Sequence, residues 1–341
     1  MDKHFSHAQK KILWACILLY TVAFFNRLNL SAVLSSIMDA LVITTAQAGM
    51  LQSAFAIVYA AGQLVNGILA DRFNPVKYMT VGMLGTALVN LLMGTAQTYP
   101  LLLVLCLLNG AFQSMLWTPI VRLLAMYFHT QHHRAKANVL VNVPLVAGHF
   151  GAWALSGYLS SALNWRYSFI VPAVLILPAL LAGLRLFKGL PDPQPQAVQT
   201  TSASAAPQPL LRIFARTGLM LILVVSVLFG FVRDGIITWA PNVLQSLSGG
   251  DALTSTTFSL VLPLINAGGL VMGYLIQQRA HQNNRRMIAL LMLAGSVLCL
   301  PLLPSGGMLL TAVLLGSCCA CMYGIEPIIT ARVPLEYEKL G

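Results

Sequence analysis

The feature that most restricts this chain is a succession of apolar stretches separated by short polar loops. A hydrocarbon core about 30 Å thick is crossed by about 20 residues of α-helix. Ten stretches of about that length or more can be drawn, at residues 12–37, 46–70, 78–96, 100–128, 137–160, 166–187, 213–246, 255–277, 287–304 and 308–330. An interfacial turn is expected near Pro241 in the long seventh stretch. Period-two alternation of the outer-membrane-strand kind is absent, so the expectation is an all-α membrane protein. Composition agrees: 57% of the residues are hydrophobic and 9% charged, where a soluble domain carries about 25% charged residues. The first stretch, Ile12 to Phe25 after Lys10 and Lys11, resembles a signal peptide in its start but runs on towards Met38. It reads as a retained first helix.

The formal net charge of +11 raises the question of nucleic acid. Its distribution answers it. Sixteen of the twenty Lys and Arg fall in alternate loops: Lys3, Lys10 and Lys11; Arg72 and Lys77; Arg134 and Lys136; Arg185, Lys188, Arg212 and Arg216; Arg279, Arg285 and Arg286; Arg332 and Lys339. The intervening loops, around Asp39, Gln97, Asn164, Asp251 and Ser305, contain only Arg166. This is the positive-inside pattern, and it places the N-terminus and every second loop in the cytoplasm. The expected location is the cytoplasmic (inner) membrane, with the lipid bilayer as partner, no nucleic acid, and a monomeric chain. Six cysteines lie in apolar stretches; Cys318-Cys319-x-Cys321 reads as small packing residues rather than a metal site, and no disulfide is implied. No nucleophile–base arrangement or phosphate-cradling loop is present, so neither an enzyme nor a cofactor or metal requirement is expected.

Between Gly189 and Leu210 the composition shifts to Pro, Gln, Ala, Ser and Thr, the signature of a flexible linker. It separates six spans (1–188) from four (211–341). The two parts repeat. Gly62-Gln63-Leu64-Val65-Asn66-Gly67-Ile68-Leu69 lines up with Gly268-Gly269-Leu270-Val271-Met272-Gly273-Tyr274-Leu275, identical at five of eight positions, at an offset of 206. Gly110 and Gly316 share that offset.

Two arginines interrupt apolar stretches at the same offset. Arg27 lies in Phe25-Asn26-Arg27-Leu28-Asn29 and Arg233 in Phe231-Val232-Arg233-Asp234-Gly235. A charge at the centre of a membrane helix costs roughly 2.5–3.5 kcal/mol or more, so it has a partner or a function. The planar fork of a guanidinium suits phosphate or carboxylate, and a matched pair suggests a central anion site. The alternatives are a structural pairing of Arg27 with polar neighbours and local neutralisation of Arg233 by Asp234. Against the second, adjacent helical residues point about 100° apart. Glu326, in the last span, and Asp234 are acids that could exchange a proton; a salt bridge from Glu326 to Arg122 or another basic group is the rival reading.

A six-helix half repeated after a linker resembles the plan of the major facilitator superfamily. Gly67-Ile68-Leu69-Ala70-Asp71-Arg72-Phe73-Asn74-Pro75-Val76-Lys77 resembles that family's loop between helices two and three. By that resemblance Asp71, Arg72 and Lys77 form a gating latch; the counterpart Gln277-Gln278-Arg279 has lost the acid. Asp71-Arg72-x-Asn74-Pro75 is similar to the organophosphate:phosphate antiporter family, although Val76 stands where that family usually has a base. Trp117-Thr118-Pro119-x-x-Arg122 with Tyr127-Phe128, Asn164-Trp165-Arg166-Tyr167-Ser168-Phe169, and Arg233-Asp234-Gly235-x-x-Thr238-Trp239-Ala240-Pro241 fit the same family.

The resemblance implies a major facilitator fold of two pseudo-symmetric helical bundles, with ten of the usual twelve helices in this sequence. It also implies secondary transport of a small organic anion by alternating access. Arg27 and Arg233 would bind the anion, with Tyr59, Gln63, His149 and Trp239 on the cavity wall and Asp234 and Glu326 as candidates for proton coupling. One departure bears on the substrate. Leu145 stands where the family's fifth helix carries a His, and His149 comes one turn later, either as its substitute or as a helix-packing residue. A phosphate ester and a carboxylate both remain open, as do two other readings: a transporter-like sensor of a sugar phosphate, and a truncated, inactive transporter.

Overall fold

The computed structural model of the protein describes residues 5–69, 72–190, 219–249, 252–279, 284–300 and 307–327. All regular structure among them is helical: α1 (His7–Ala32), α2 (Leu34–Leu41), α3 (Thr45–Leu69), α4 (Pro75–Thr95), α5 (Tyr99–Tyr127), α6 (Gln131–Leu140), α7 (Val143–Ala162), α8 (Tyr167–Phe187), α9 (Leu219–Leu247), α10 (Ala252–Ser259), α11 (Val261–Arg279), α12 (Asn284–Cys299) and α13 (Met308–Pro327). Nine helices among the described residues are long and apolar enough to cross a membrane, and the apolar run Arg286–Cys299 is shorter. The chain forms two compact units, Met1–Pro195 with Asp251–Thr256, and Gln196–Gly250 with Thr257–Gly341. Of the linker expected at 189–210, everything after residue 190 lies outside the described residues.

Helix ends follow local chemistry. Ser6 caps α1 through a reciprocal box with Gln9. At α4 the side chain of Asn74 accepts from the amides of Val76 and Lys77, and Pro75 takes the first helical position, where its missing N–H is not needed. The Asn74-Pro75 pair is thus a helix start. Some spans are subdivided: the first breaks at Val33 between α1 and α2, and the fifth at residues 141–142, just before Pro144. The turn expected near Pro241 is not there. α9 runs through Pro241 without interruption.

In the first unit α1 is the central helix, packed against α5, α7 and α8, with Ile12, Cys16, Leu19, Ala23 and Phe24 in its core. A ladder of carboxamides fastens it. Pro172, inside α8, has no N–H to give the carbonyl of Ser168, which sits four residues before it. The side chain of Asn29 takes that carbonyl at 3.2 Å and also donates to Asn90 Oδ1 at 2.8 Å. Asn90 donates to Asn109 Oδ1, and Asn109 donates to the carbonyl of Asn26. Asn26 in turn donates to the carbonyl of Pro172 at 3.0 Å. Four helices are joined by groups that an apolar environment makes costly to leave unpaired.

Small residues bring helices together in both units. A Cβ on Gly110 of α5 would lie 2.5 Å from the carbonyl oxygen of Phe55 and 3.2 Å from the amide of Tyr59 on α3. At the same offset of 206, a Cβ on Gly316 of α13 would lie 2.9 Å from Ile265 on α11. Along that second pair, Gly269 faces the backbone of Ala320 and Gly273 that of Gly324, with 2.3 and 2.6 Å between a built Cβ and the carbonyl oxygens. This is close small-residue packing of the kind membrane helices use. The core of the second unit is closed by Phe229, Leu291, Cys321, Met322 and Ile325. The cysteines of the described residues are free, with Cys318, Cys319 and Cys321 buried as packing groups.

Replacing Asn29 by Leu leaves the Ser168 carbonyl unpaired and should cost about 1–3 kcal/mol, read as a lowered midpoint of thermal unfolding in detergent. Adding Pro172→Ala, which restores an N–H to that carbonyl, should recover part of the loss. A double variant no more stable than Asn29→Leu would contradict the assignment.

Candidate functional site

Arg27 is half-buried on α1, and its environment is aromatic. Its Nη1 donates to the hydroxyl of Tyr59 at 3.1 Å, and its guanidinium carbon lies 4.1 Å from the centre of the Tyr59 ring. The rings of Phe24 and Phe55 stand at 5.6 and 5.8 Å. Phe55 and Tyr59, one turn apart on α3, are stacked with centroids 5.7 Å apart. Negative ring faces stabilise the cation where water is scarce.

His149 reaches the same cluster from α7. Its ring lies 5.2 Å from Phe24 and 6.4 Å from Trp153. Its Nδ1 bonds the carbonyl of Leu145, an assignment in which Nδ1 carries the proton and Nε2 is the other ring valence. Gly148, whose Cβ would lie 2.6 Å from Phe24, permits this approach. His149 and Arg27 therefore sit on the same phenylalanine. Gln63, one turn beyond Tyr59, accepts a hydrogen bond from Thr118 at 3.4 Å.

Arg233, on α9, has a different setting. Its Nε donates to Asp234 Oδ1 at 2.9 Å and its Nη2 to Oδ2 at 3.5 Å, so neighbours on one helix pair despite their angular separation. The long arginine side chain bends back to its neighbour. Asp234 is 62% exposed. Phe229 and Tyr323 stand 5.6 Å from the guanidinium. Trp239 is half-buried six residues further along α9, about 120° around the helix. Glu326 lies in the last turn of α13, and its side chain is outside the described residues.

Of the residues expected to form the latch, Arg72 and Lys77 are exposed at the turn before α4 and in its first turn. Asp71 lies outside the described residues. Arg122 of α5 donates to the carbonyl of Phe73 in that turn at 2.9 Å, a connection the sequence did not disclose. Arg166 is likewise explained: it donates to the carbonyls of Ala96 and Gly94, closing the C-terminus of α4. That is a structural use for the basic residue that departs from the positive-inside pattern.

With nine membrane-length helices among the described residues and an arginine within a spanning helix of each unit, this is a multi-pass membrane protein. It belongs to the Major Facilitator Superfamily, whose family model matches residues 16–338. The chain is 25% identical over 315 residues to a probable sulfoacetate transporter of Cupriavidus necator, covering 84% of this chain and 70% of that one. It is 23% identical over 298 residues to the glycerol-3-phosphate transporter of Bacillus subtilis, covering 81% and 67%. To the membrane sensor protein UhpC of Escherichia coli it is 24% identical over 330 residues, covering 87% and 71%. Among solved structures it is similar to a bacterial homolog of the human lysosomal transporter Spinster in an inward-facing, occupied conformation. That match has a TM-score of 0.73 and 16% identity over 96% of this chain and 74% of that one. The expected fold and the resemblance to organophosphate transporters are borne out.

The Arg233–Asp234 pair lies within a membrane-spanning helix, where a charge is costly without a partner. Asp234→Asn is expected to lower stability by about 1–3 kcal/mol, measured by thermal unfolding. Sulfate binding should strengthen, since the guanidinium is relieved of its neighbour; weaker sulfate binding would assign the carboxylate a supporting role in the site.

Proposed function

We propose that this protein is a secondary transporter of a small organic anion, working by alternating access, with Arg27 and Arg233 holding the anion's charge. The observation that carries this reading is the setting of Arg27: a guanidinium within a membrane-spanning helix, held by the hydroxyl and face of Tyr59. Aromatic rings orient the cation, and its planar fork of donors suits a group that must accept an anion and release it. His149, Gln63 and Trp239 complete the proposed wall. Asp71, Arg72 and Lys77 are proposed as the latch, and Asp234 and Glu326 as sites of proton exchange. The inner membrane is the proposed location, with the N-terminus and central linker in the cytoplasm.

The names of the relatives suggest the class of cargo, from sulfoacetate to glycerol 3-phosphate. Leu145 supplies only its backbone carbonyl to His149. A sulfonate or carboxylate, which needs fewer cationic partners than a phosphate dianion, is the cargo we favour. A sensor is the second reading, supported by the similarity to UhpC. A sensor would bind the same anions without carrying them into proteoliposomes.

Arg27→Lys and Arg233→Lys test the anion site. Each should weaken binding of sulfoacetate or glycerol 3-phosphate by about tenfold or more, since lysine lacks the planar fork, as measured by ligand-induced thermal shift of the full chain. Normal binding in both variants would sink the proposal.

A further inference from the structure

We infer that Gln113 is a positioning residue for Arg27: through α5 it sets the place of the guanidinium against Tyr59. The inference rests on the proposed anion site and extends it to a residue that touches no substrate.

The segment Asn109–Ser114 of α5 works on two sides. Towards α1, Gln113 donates from Nε2 to the carbonyl of Ala23 at 3.1 Å. That carbonyl, four residues before Arg27, is the one to which the Arg27 amide is directed in the α-helix. Asn109 donates to the carbonyl of Asn26 at 3.3 Å, so two side chains of α5 grip the turn of α1 that carries the arginine. Towards α3, Gly110 admits the backbone of Phe55 and Tyr59, and Ser114 accepts from Asn66 at 2.8 Å. One helix therefore fixes both the strut that bears the cation and the strut that bears its aromatic partner. Gln113 is 3% exposed and Asn109 is also 3% exposed, so both bonds are made away from water.

The internal repeat shows a related contact in the second unit. Position 113 corresponds at offset 206 to Cys319, whose thiol faces the carbonyl of Arg233 at 4.0 Å. Gly110 corresponds to Gly316, which packs on Ile265, the counterpart of Tyr59. In both units the same helix position touches the main chain of the arginine-bearing helix, although one turn apart, since the counterpart of Ala23 is Phe229. A carboxamide holds it in the first unit and the weaker thiol in the second.

The test uses the full chain in proteoliposomes and the nearly isosteric Gln113→Met. First, Arg27 is labelled with phenylglyoxal and the rate is read by peptide mass spectrometry, with Arg166 as internal reference. We expect Arg27 to react roughly three- to tenfold faster in Gln113→Met, the effect of losing an ordinary hydrogen bond, with Arg166 unchanged. Equal Arg27 rates, or a rise shared by Arg166, would overturn the inference. Second, the affinity for sulfoacetate and for glycerol 3-phosphate is compared across Gln113→Met, Arg27→Lys and the double variant. If Gln113 acts through Arg27, its substitution weakens binding in the parent and adds nothing in the Arg27→Lys background. Additive losses would overturn the positioning role while leaving the anion site standing. Normal binding in Arg27→Lys would overturn the anion site itself, and the labelling result would then decide the contact alone.

Discussion

In a bilayer the backbone has no water to fall back on, and the first unit is organised around that constraint. Pro172 strips one carbonyl of its helical partner, and Asn29 replaces it from another helix. From that repair the carboxamide ladder runs to Asn90, Asn109 and Asn26, and back to the carbonyl of Pro172. Hydrophobic burial cannot by itself select one arrangement of helices when lipid tails are as apolar as leucine. Directional bonds and close small-residue contacts can. They make α1, α4, α5 and α8 one body.

The arginine is placed by the same framework. Arg27 lies between two buried asparagines of the ladder, Asn26 and Asn29, one residue before it and two after it. Its side chain leaves the ladder and lies on the Tyr59 ring. A rigid half and an oriented cation are therefore two results of one set of bonds. Arg233 meets its surroundings differently, with Asp234 across a 2.9 Å contact and the Cys319 thiol facing its own carbonyl, whereas Gln113 bonds the carbonyl of Ala23, four residues before Arg27. The two units share a plan, and their arginines bond differently: Arg27 to a Tyr hydroxyl and Arg233 to a carboxylate.

Much of this was legible in the sequence. Apolar stretches of bilayer length gave the spans, and the common offset of 206 foretold the equivalent packing of Gly110 and Gly316. Arg27 stood out because a charge in an apolar span is expensive. Partner identity was hidden, because hydrogen bonds between helices join residues such as Asn29 and Ser168 that no local pattern links. Angular reasoning also failed at Arg233. Helical geometry separates adjacent Cβ atoms, but a flexible guanidinium stem spans that angle to reach Asp234. Pro241 looked like a turn, yet α9 continues through it.

The most direct test of the account is counterflow in proteoliposomes holding the full chain, with labelled sulfoacetate or glycerol 3-phosphate outside and the unlabelled anion within. Saturable accumulation of label is expected, which a small sulfonate or phosphate ester competes away and uncharged glycerol leaves untouched. Absence of accumulation for every anion, or equal competition by glycerol, would contradict a transporter built around a guanidinium.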